Sequence, residues 1–384
     1  MDRLKILLAG MVAGDPWQGG ATWAVFQYLL GLRRLGHDVL LVEPVKADSL
    51  RPFGSTLAAS DNARYFSHLP FIRGDSGSAL LLAGSEESVG KPYDAVVEFA
   101  WEADLLLDIS GMLSREERLV EPIPVRAFVD LDPGFNQVWQ ESGEDMGLDA
   151  HNRFVTVGQA IGSATCPVPT CGVIWIPTLP PVVLEHWASA PDPRRDAFTT
   201  VGHWRSYGSI EYEGVHYGQR AHSLRELVSL PARTSARFQL ALGIHPDEVR
   251  DIEALEAGGW ELLDPREVAG TPGAYHDFVG ESKAELGVAK SGYVASRCGW
   301  FSDRSACYLG SGRPVLAQDT GFGEFLPAGE GVIAFSTLDE AAAGVEEMES
   351  DWERHGRAAR ALAEEHLDSD KVLGRLLDRL GSVA

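Results

Sequence analysis

Cysteine is scarce in this chain: Cys166, Cys171, Cys298 and Cys307 are the only four among 384 residues. Four thiols cannot staple a chain of this length, so a disulfide-built scaffold is excluded and the fold must rest on buried apolar surface. The pair in "CPVPTC" lacks the tight Cys-x-x-Cys spacing of a four-cysteine zinc site, and no metal is expected there. Positive charge is also short. Lys and Arg total 33 against 56 Asp and Glu, a net charge of −23. Such a surface repels phosphate backbones and anionic lipid, so neither nucleic acid nor a membrane surface is an expected partner. No run reaches the ~18 apolar residues a spanning helix needs. The opening "LKILLAGMV" is followed by "DPWQGG" rather than a cleavage site, so it reads as a buried strand, not a signal peptide. A cytoplasmic protein with reduced thiols is expected. Repeats and low-complexity tracts are missing too.

What is present is an ordinary globular mixture, 45% apolar and 23% charged. The length exceeds one ordinary core and suits two domains. The first fifty residues read as strand "LKILLAGMV", glycine-rich loop "AGDPWQGG", helix "ATWAVFQYLLGLRRL" and strand "DVLLVEP", with Gly36 ending the helix. This βαβ opening predicts a right-handed crossover and a parallel sheet. Further strands are predicted at "YDAVVEFA", "DLLLDIS", "VRAFVDLDP", "RFVTVG" and "GVIWIP"; the polar stretch 44–92 has no placeable boundaries. Five prolines between 177 and 195 mark a linker.

After it the alternation starts afresh. Strands are predicted at "AFTTVGHW", "RFQLALG", "WELLD", "YVASR", "RPVLAQ" and "VIAFS". Helices are predicted at "HSLRELVSL", "PDEVRDIEALEAG", "YHDFVGESKAELGVAKSG" and "DRSACYLGSG". Thr337 and Glu340 form a capping box that opens the next helix. The last helix carries Val372, Leu373, Leu376, Leu377 and Leu380 on one face, so it packs against something.

In an open parallel sheet, ligands bind beyond the carboxyl ends of the strands. In "RCGWFSDRSACYL", Gly299 makes a turn, and Ser302 or Asp303 caps a helix. The free N–H groups of its first turn (Ser302, Asp303, Arg304, Ser305) and the Arg304 charge suit an anion; a capped helix with a surface arginine is the alternative. The next loop brings Asp319, Thr320, Gly321 and Phe322, whose polar members suit sugar hydroxyls. Lys290 and Arg297 add positive charge nearby. The loop "HWRSYGSIEYEGVHYGQRAHS" offers Trp204, Arg205 and Arg220 either to a ligand or to a packed hairpin.

With "GGATWAVFQYLLGLRRLGHDVLLVEP" at the front and "GWFSDRSACYLGSGRPVLAQDTGF" at the back, the sequence resembles bacterial GT-B glycosyltransferases. The resemblance implies an α/β fold of two Rossmann-like domains facing across a cleft. It implies an acceptor domain over 1–185, a nucleotide-sugar donor domain over 186–365, and a helix at 366–384 returning to the first domain. It implies UDP or dTDP as donor nucleotide, a small-molecule acceptor, no cofactor beyond the nucleotide-sugar co-substrate, and no metal. A homodimer is compatible with it. The two glutamates of many retaining members would fall at Gly299 and Cys307, so an inverting transfer is expected instead. The base then falls to Asp15 in the first loop, where the residue either takes the acceptor's proton or merely starts an Asp-Pro turn; Asp130, Asp132 and His203 come next. Gly19 and Gly20 would let acceptor or donor approach the backbone. A non-catalytic two-domain sugar sensor is one rival to this reading, and two enzymes stand beside it. One is a nucleotide-sugar epimerase of the same architecture. The other is an NAD-dependent oxidoreductase using Glu43 as its ribose-binding carboxylate, although "AGMVAGDPWQGG" is not Gly-x-Gly-x-x-Gly.

Overall fold

A computed structural model describes residues 3–72, 77–188 and 192–382. The first unit is built on β1 (Lys5–Ala9), β2 (Asp38–Val45), β3 (Ser78–Leu82), β4 (Ser88–Gly90), β5 (Leu105–Ile109), β6 (Val125–Asp130), β7 (Arg153–Thr156) and β8 (Trp175–Pro177). They pair in the order β4-β3-β2-β1-β5-β6-β7-β8, parallel except for β4. The second unit contains β9 (Arg195–His203), a hairpin of β10 (Ile210–Tyr212) and β11 (Val215–Tyr217), then β12 (Phe238–Gly243), β13 (Glu261–Leu262), β14 (Ser282–Gly287), β15 (Val315–Gln318) and β16 (Val332–Phe335). Its parallel sheet runs β13-β12-β9-β14-β15-β16.

Both sheets reverse their winding direction at their first strand. β1 lies between β2 and β5, and β9 between β12 and β14. The loops that leave β1 and β9 therefore diverge from their neighbours and open a crevice at each switch point. Strand burial explains the parallel pairing: Ile6, Leu7, Leu8 and Ala9 are all fully buried, as a strand covered on both faces requires.

Helix Gly19–Arg34 follows β1 and is the main joint between the units. Its Trp23 Nε1 donates to the Pro272 carbonyl (2.8 Å), and Gln27 accepts from Val183 N–H (2.7 Å). The tail helix Ser369–Ser382 returns onto it, with Val372, Leu373, Leu376, Leu377 and Leu380 all buried. Gly31 lets the two helices touch: a Cβ there would lie 2.5 Å from Leu373 Cδ1. Arg34 and Asp370 close the pair at 3.0 Å.

Several local expectations are corrected. "YDAVVEFA" is not a strand but helix Tyr93–Glu102, burying Tyr93, Val96 and Ala100 at 3 and 4 spacing. "YVASR" belongs to helix Ser291–Ser296. The long helix expected over 275–292 is helix Pro272–Glu281 followed by β14, whose helix-forming "KAEL" is overridden by its central place in the sheet. The unplaced stretch 44–92 supplies β3 and β4. Of the proline-rich linker, 189–191 lie outside the described residues. The part before them is pinned, since Val182 exchanges backbone hydrogen bonds with Leu367 and Ser369 (2.7 and 2.9 Å) and Trp187 is fully buried. The capping box forms as expected, with Glu340 accepting from Thr337 N–H and Thr337 Oγ1 from Glu340 N–H.

Candidate active site

A cleft of about 390 Å³ opens where the two switch points meet. One wall is residues 15–21, the loop after β1 and the start of helix Gly19–Arg34. The other wall is Val201–His203 at the carboxyl end of β9, Gly243 at the end of β12, Pro265 and Arg266 after β13, and Asp303 and Arg304 beyond β14.

The first loop is held from below by Glu43. This fully buried carboxylate accepts from the N–H groups of Val12 (3.0 Å), Ala13 (2.7 Å) and Gly14 (2.6 Å). Asn62 Nδ2 donates to the Ala13 and Gly14 carbonyls (2.8 and 3.1 Å). Glu43 is thus a loop clamp, not a ribose ligand. Burial pushes its pKa from the ordinary 4.5 to about 7, against the pull of the three N–H donors. A raised carboxylate pKa makes the folded state the better proton binder between those values. Its contribution is complete below about 4.5 and fades as pH rises to about 7. The wild-type protein should therefore lose stability, on the order of 3 kcal/mol, over that range. Glu43→Gln should flatten this slope in urea titrations.

Above the clamp, Asp15 faces the cleft. Gln18 Nε2 donates to Asp15 Oδ2, so Gln18 Oε1 is left to accept from His203 Nε2–H (3.0 Å). One amide thus links the carboxylate of the first unit to the imidazole of the second. Desolvation within the cleft and the Arg220 charge lower the His203 pKa, which keeps the ring neutral.

The cationic side is built on Arg304, at the start of helix Asp303–Gly310 and capped by Ser302. Arg304 is buried. Its Nε donates to Glu285 Oε1 (2.5 Å) and its Nη1 to the Val201 carbonyl (3.0 Å), while Nη2 has no partner among the described residues. Behind Gly202 lies Arg220, donating to the carbonyls of Val288 (3.0 Å) and His203 (2.8 Å). A Cβ on residue 202 would fall 2.5 Å from Arg220 Nη1, so glycine makes room for this guanidinium. Burial and the neighbouring Arg304 lower the Arg220 pKa to about 10. Two buried guanidiniums, one with an open donor, form a site whose like-charge repulsion an anion relieves. Asp303 also lines the cleft, and burial raises its pKa.

Of the expected site residues, Asp15, Gly19, Gly20, Asp303 and Arg304 line this cleft. Gly19 and Gly20 also serve domain contact: a Cβ on Gly19 would lie 2.2 Å from the Thr271 carbonyl oxygen, and one on Gly20 would lie 2.8 Å from Tyr275. Gly19→Ala should cost about 1–3 kcal/mol by overpacking the joint, measured by urea unfolding.

The others lie elsewhere. Trp204 is core, its Nε1 donating to Asp251 (3.1 Å), and Arg205 pairs with Glu248 (2.5 Å). Lys290 pairs with Asp132 (2.7 Å) beside Tyr207 and Tyr293. Ser302 and Ser305 are buried beneath the helix start. Asp319 pairs with Arg297 (3.0 Å), Thr320 donates to the Trp300 carbonyl, and Phe322 packs on Phe301. Gly321 takes a left-handed φ of 86° against the Arg297 carbonyl. Residues 298–300 serve the contact between units: Ala160 N–H donates to the Cys298 carbonyl (3.0 Å), and Gly158 pairs with Trp300. Asp130 is sequestered by Thr156, Asn136 and Gln137. Sequence reasoning missed Gly243, Pro265, Arg266, Tyr275 and Glu285. Glu285 had one signal, a lone carboxylate in an apolar run.

The sequence matches no protein-family model and no curated protein. The structure matches solved ones along nearly its whole length. An alpha-glucosyltransferase, solved with UDP-glucose and DNA containing an abasic site, is 13% identical with a TM-score of 0.63; 98% of each chain is covered. HepE from Anabaena, solved with UDP-glucose, is 12% identical with a TM-score of 0.62, covering 99% of this chain and 100% of that one. Sucrose-phosphate synthase from Thermosynechococcus elongatus is 14% identical with a TM-score of 0.58, covering 99% and 100%. Two parallel sheets meeting at their switch points, a returning tail helix and these superpositions together identify the chain's architecture as the GT-B fold of glycosyltransferases.

Proposed function

We propose that this protein transfers a sugar from a nucleoside-diphosphate sugar, UDP first among the nucleotides, to a small-molecule acceptor. One observation carries the reading: Arg304, backed by Arg220 and with its buried Nη2 unpartnered among the described residues, lines a cleft whose opposite wall bears Asp15. The diphosphate lies against Arg304 and the start of helix Asp303–Gly310. The nucleobase lies toward Gly243, Pro265 and Arg266. Asp15 takes the acceptor's proton as its oxygen attacks the anomeric carbon from the face opposite the diphosphate, giving inversion. The bond to the diphosphate breaks, and the negative charge on the leaving oxygen is met by Arg304, Arg220 and the helix dipole. In our reading these cations do the neutralising without a metal, and turnover should survive EDTA. The UDP-sugar complexes of HepE and the alpha-glucosyltransferase support the donor class. The DNA of the latter does not transfer readily to a chain of net charge −23.

A thermal-shift screen of UDP, dTDP, GDP and ADP with their sugars, and of NAD, tests the reading. A UDP-sugar should raise the melting temperature by mass action. A shift with NAD alone would favour the oxidoreductase. Conversion of donor without acceptor would favour the epimerase. A product retaining the donor's anomeric configuration would remove the inverting mechanism.

A further inference from the structure

Trp17 has a φ of 71°, in the left-handed region that disfavours bulky side chains. This conformation is costly for a side chain of this size, and a turn alone would be served better by glycine or asparagine. It persists because the loop beneath it is locked by Glu43 and Asn62. The result is an indole aimed at the cleft: Trp17 lines the cleft and is 38% exposed. Its ring rests edge-on against Tyr65, with centroids 5.0 Å apart and planes at 65°. Tyr65 is itself buried and anchored through its hydroxyl to the Gly270 carbonyl (3.2 Å). The indole is therefore a braced surface, not a free side chain.

Beside that apolar face stand Asp15, Gln18 and His203, already linked to one another. The arginines lining the cleft, Arg266 and Arg304, both belong to the second unit. We propose that Trp17 is the platform on which the acceptor stacks, and that the acceptor is itself a sugar. A pyranose has an apolar C–H face for the indole and a hydroxyl rim for the carboxylate, amide and imidazole. A flat apolar acceptor would desolvate those polar groups without replacing their hydrogen bonds. An anionic acceptor would meet Asp15 in a chain of net charge −23. The proposal rests on the transferase reading above.

The test is saturation-transfer NMR on the full chain with UDP present, against methyl glucosides, galactosides, mannosides and disaccharides. At least one glycoside should receive saturation, strongest on the C–H protons of one ring face. Trp17→Phe should keep this binding. Trp17→Gly and Trp17→Asn, both tolerant of the left-handed backbone, should weaken it about tenfold or more. UDP affinity and the melting temperature should stay near wild type in all three. Glycosides that bind wild type and Trp17→Gly alike overturn the proposal. So does a panel in which no glycoside binds, or in which only 4-nitrophenol or a single-stranded oligonucleotide binds through Trp17. Collapse of the fold in both truncations makes the ring structural and also overturns it. Failure of the wild type to bind any nucleoside diphosphate or its sugar removes the transferase reading instead, a result visible in the same titrations.

Discussion

Asp15→Asn should cut turnover by roughly 10²-fold or more, the usual worth of a positioned base, while donor binding survives. Asparagine keeps the shape of the side chain and still offers a carbonyl oxygen to Gln18, so the link from the first loop to His203 has no steric reason to break. What disappears is the group that takes the acceptor's proton. The loop itself is held by Glu43 and Asn62 rather than by Asp15, so the melting temperature should hardly move. Single-turnover rates with a saturating donor, beside donor titrations, separate the two effects. Near-normal turnover would shift the base to His203, whose ring the cleft keeps neutral and whose Nδ1 is the nitrogen not committed to Gln18.

Arg304→Ala should damage both folding and donor binding, and the two losses are separable. Removing the guanidinium leaves Glu285 buried without its cation, and breaking such a pair costs about 3–5 kcal/mol. Replacing the pair together, as Arg304→Met with Glu285→Leu, removes the stranded charge. Such apolar replacements are commonly neutral or stabilising, so urea unfolding should recover most of the loss. Nucleotide affinity should not recover. A charge-assisted hydrogen bond is worth about 1.5–3 kcal/mol, so titration of UDP into the double variant should show a dissociation constant at least about tenfold weaker than wild type. Wild-type affinity in the double variant would take the diphosphate away from Arg304.

Much of the architecture was legible locally. The buried strand, glycine loop and helix at the front can be read because burial on two faces and the 3.6-residue period leave marks within a few neighbouring residues. Gly36 does end the first helix, with φ at 91°, and the 372–380 stripe does pack on it. Asp15 and Arg304 stood out in the sequence as ionisable side chains in loops that also carry glycine, Gly14 and Gly299. Where the local signal was ambiguous, long-range packing decided. The run 93–100 alternates well enough for a strand but buries a helical face; 282–287 contains good helix formers but fills the middle of a sheet.

The site divides the same way. Sequence by itself pointed to the loops of the two sheets as the candidate site, and singled out a helix start with an arginine and a carboxylate in two of them. It could not determine which loops meet, because strand order is set by pairings between residues a hundred positions apart, such as Ile6 with Leu105. The tertiary structure puts the reversals at β1 and β9, so the loops there form the cleft. β15 lies one strand beyond β14 from that reversal, and Asp319, Thr320 and Phe322 are held by Arg297, Trp300 and Phe301 of their own unit. Lys290 was expected on a phosphate and is held by Asp132 of the other unit, a contact that exists only once the two sheets face each other.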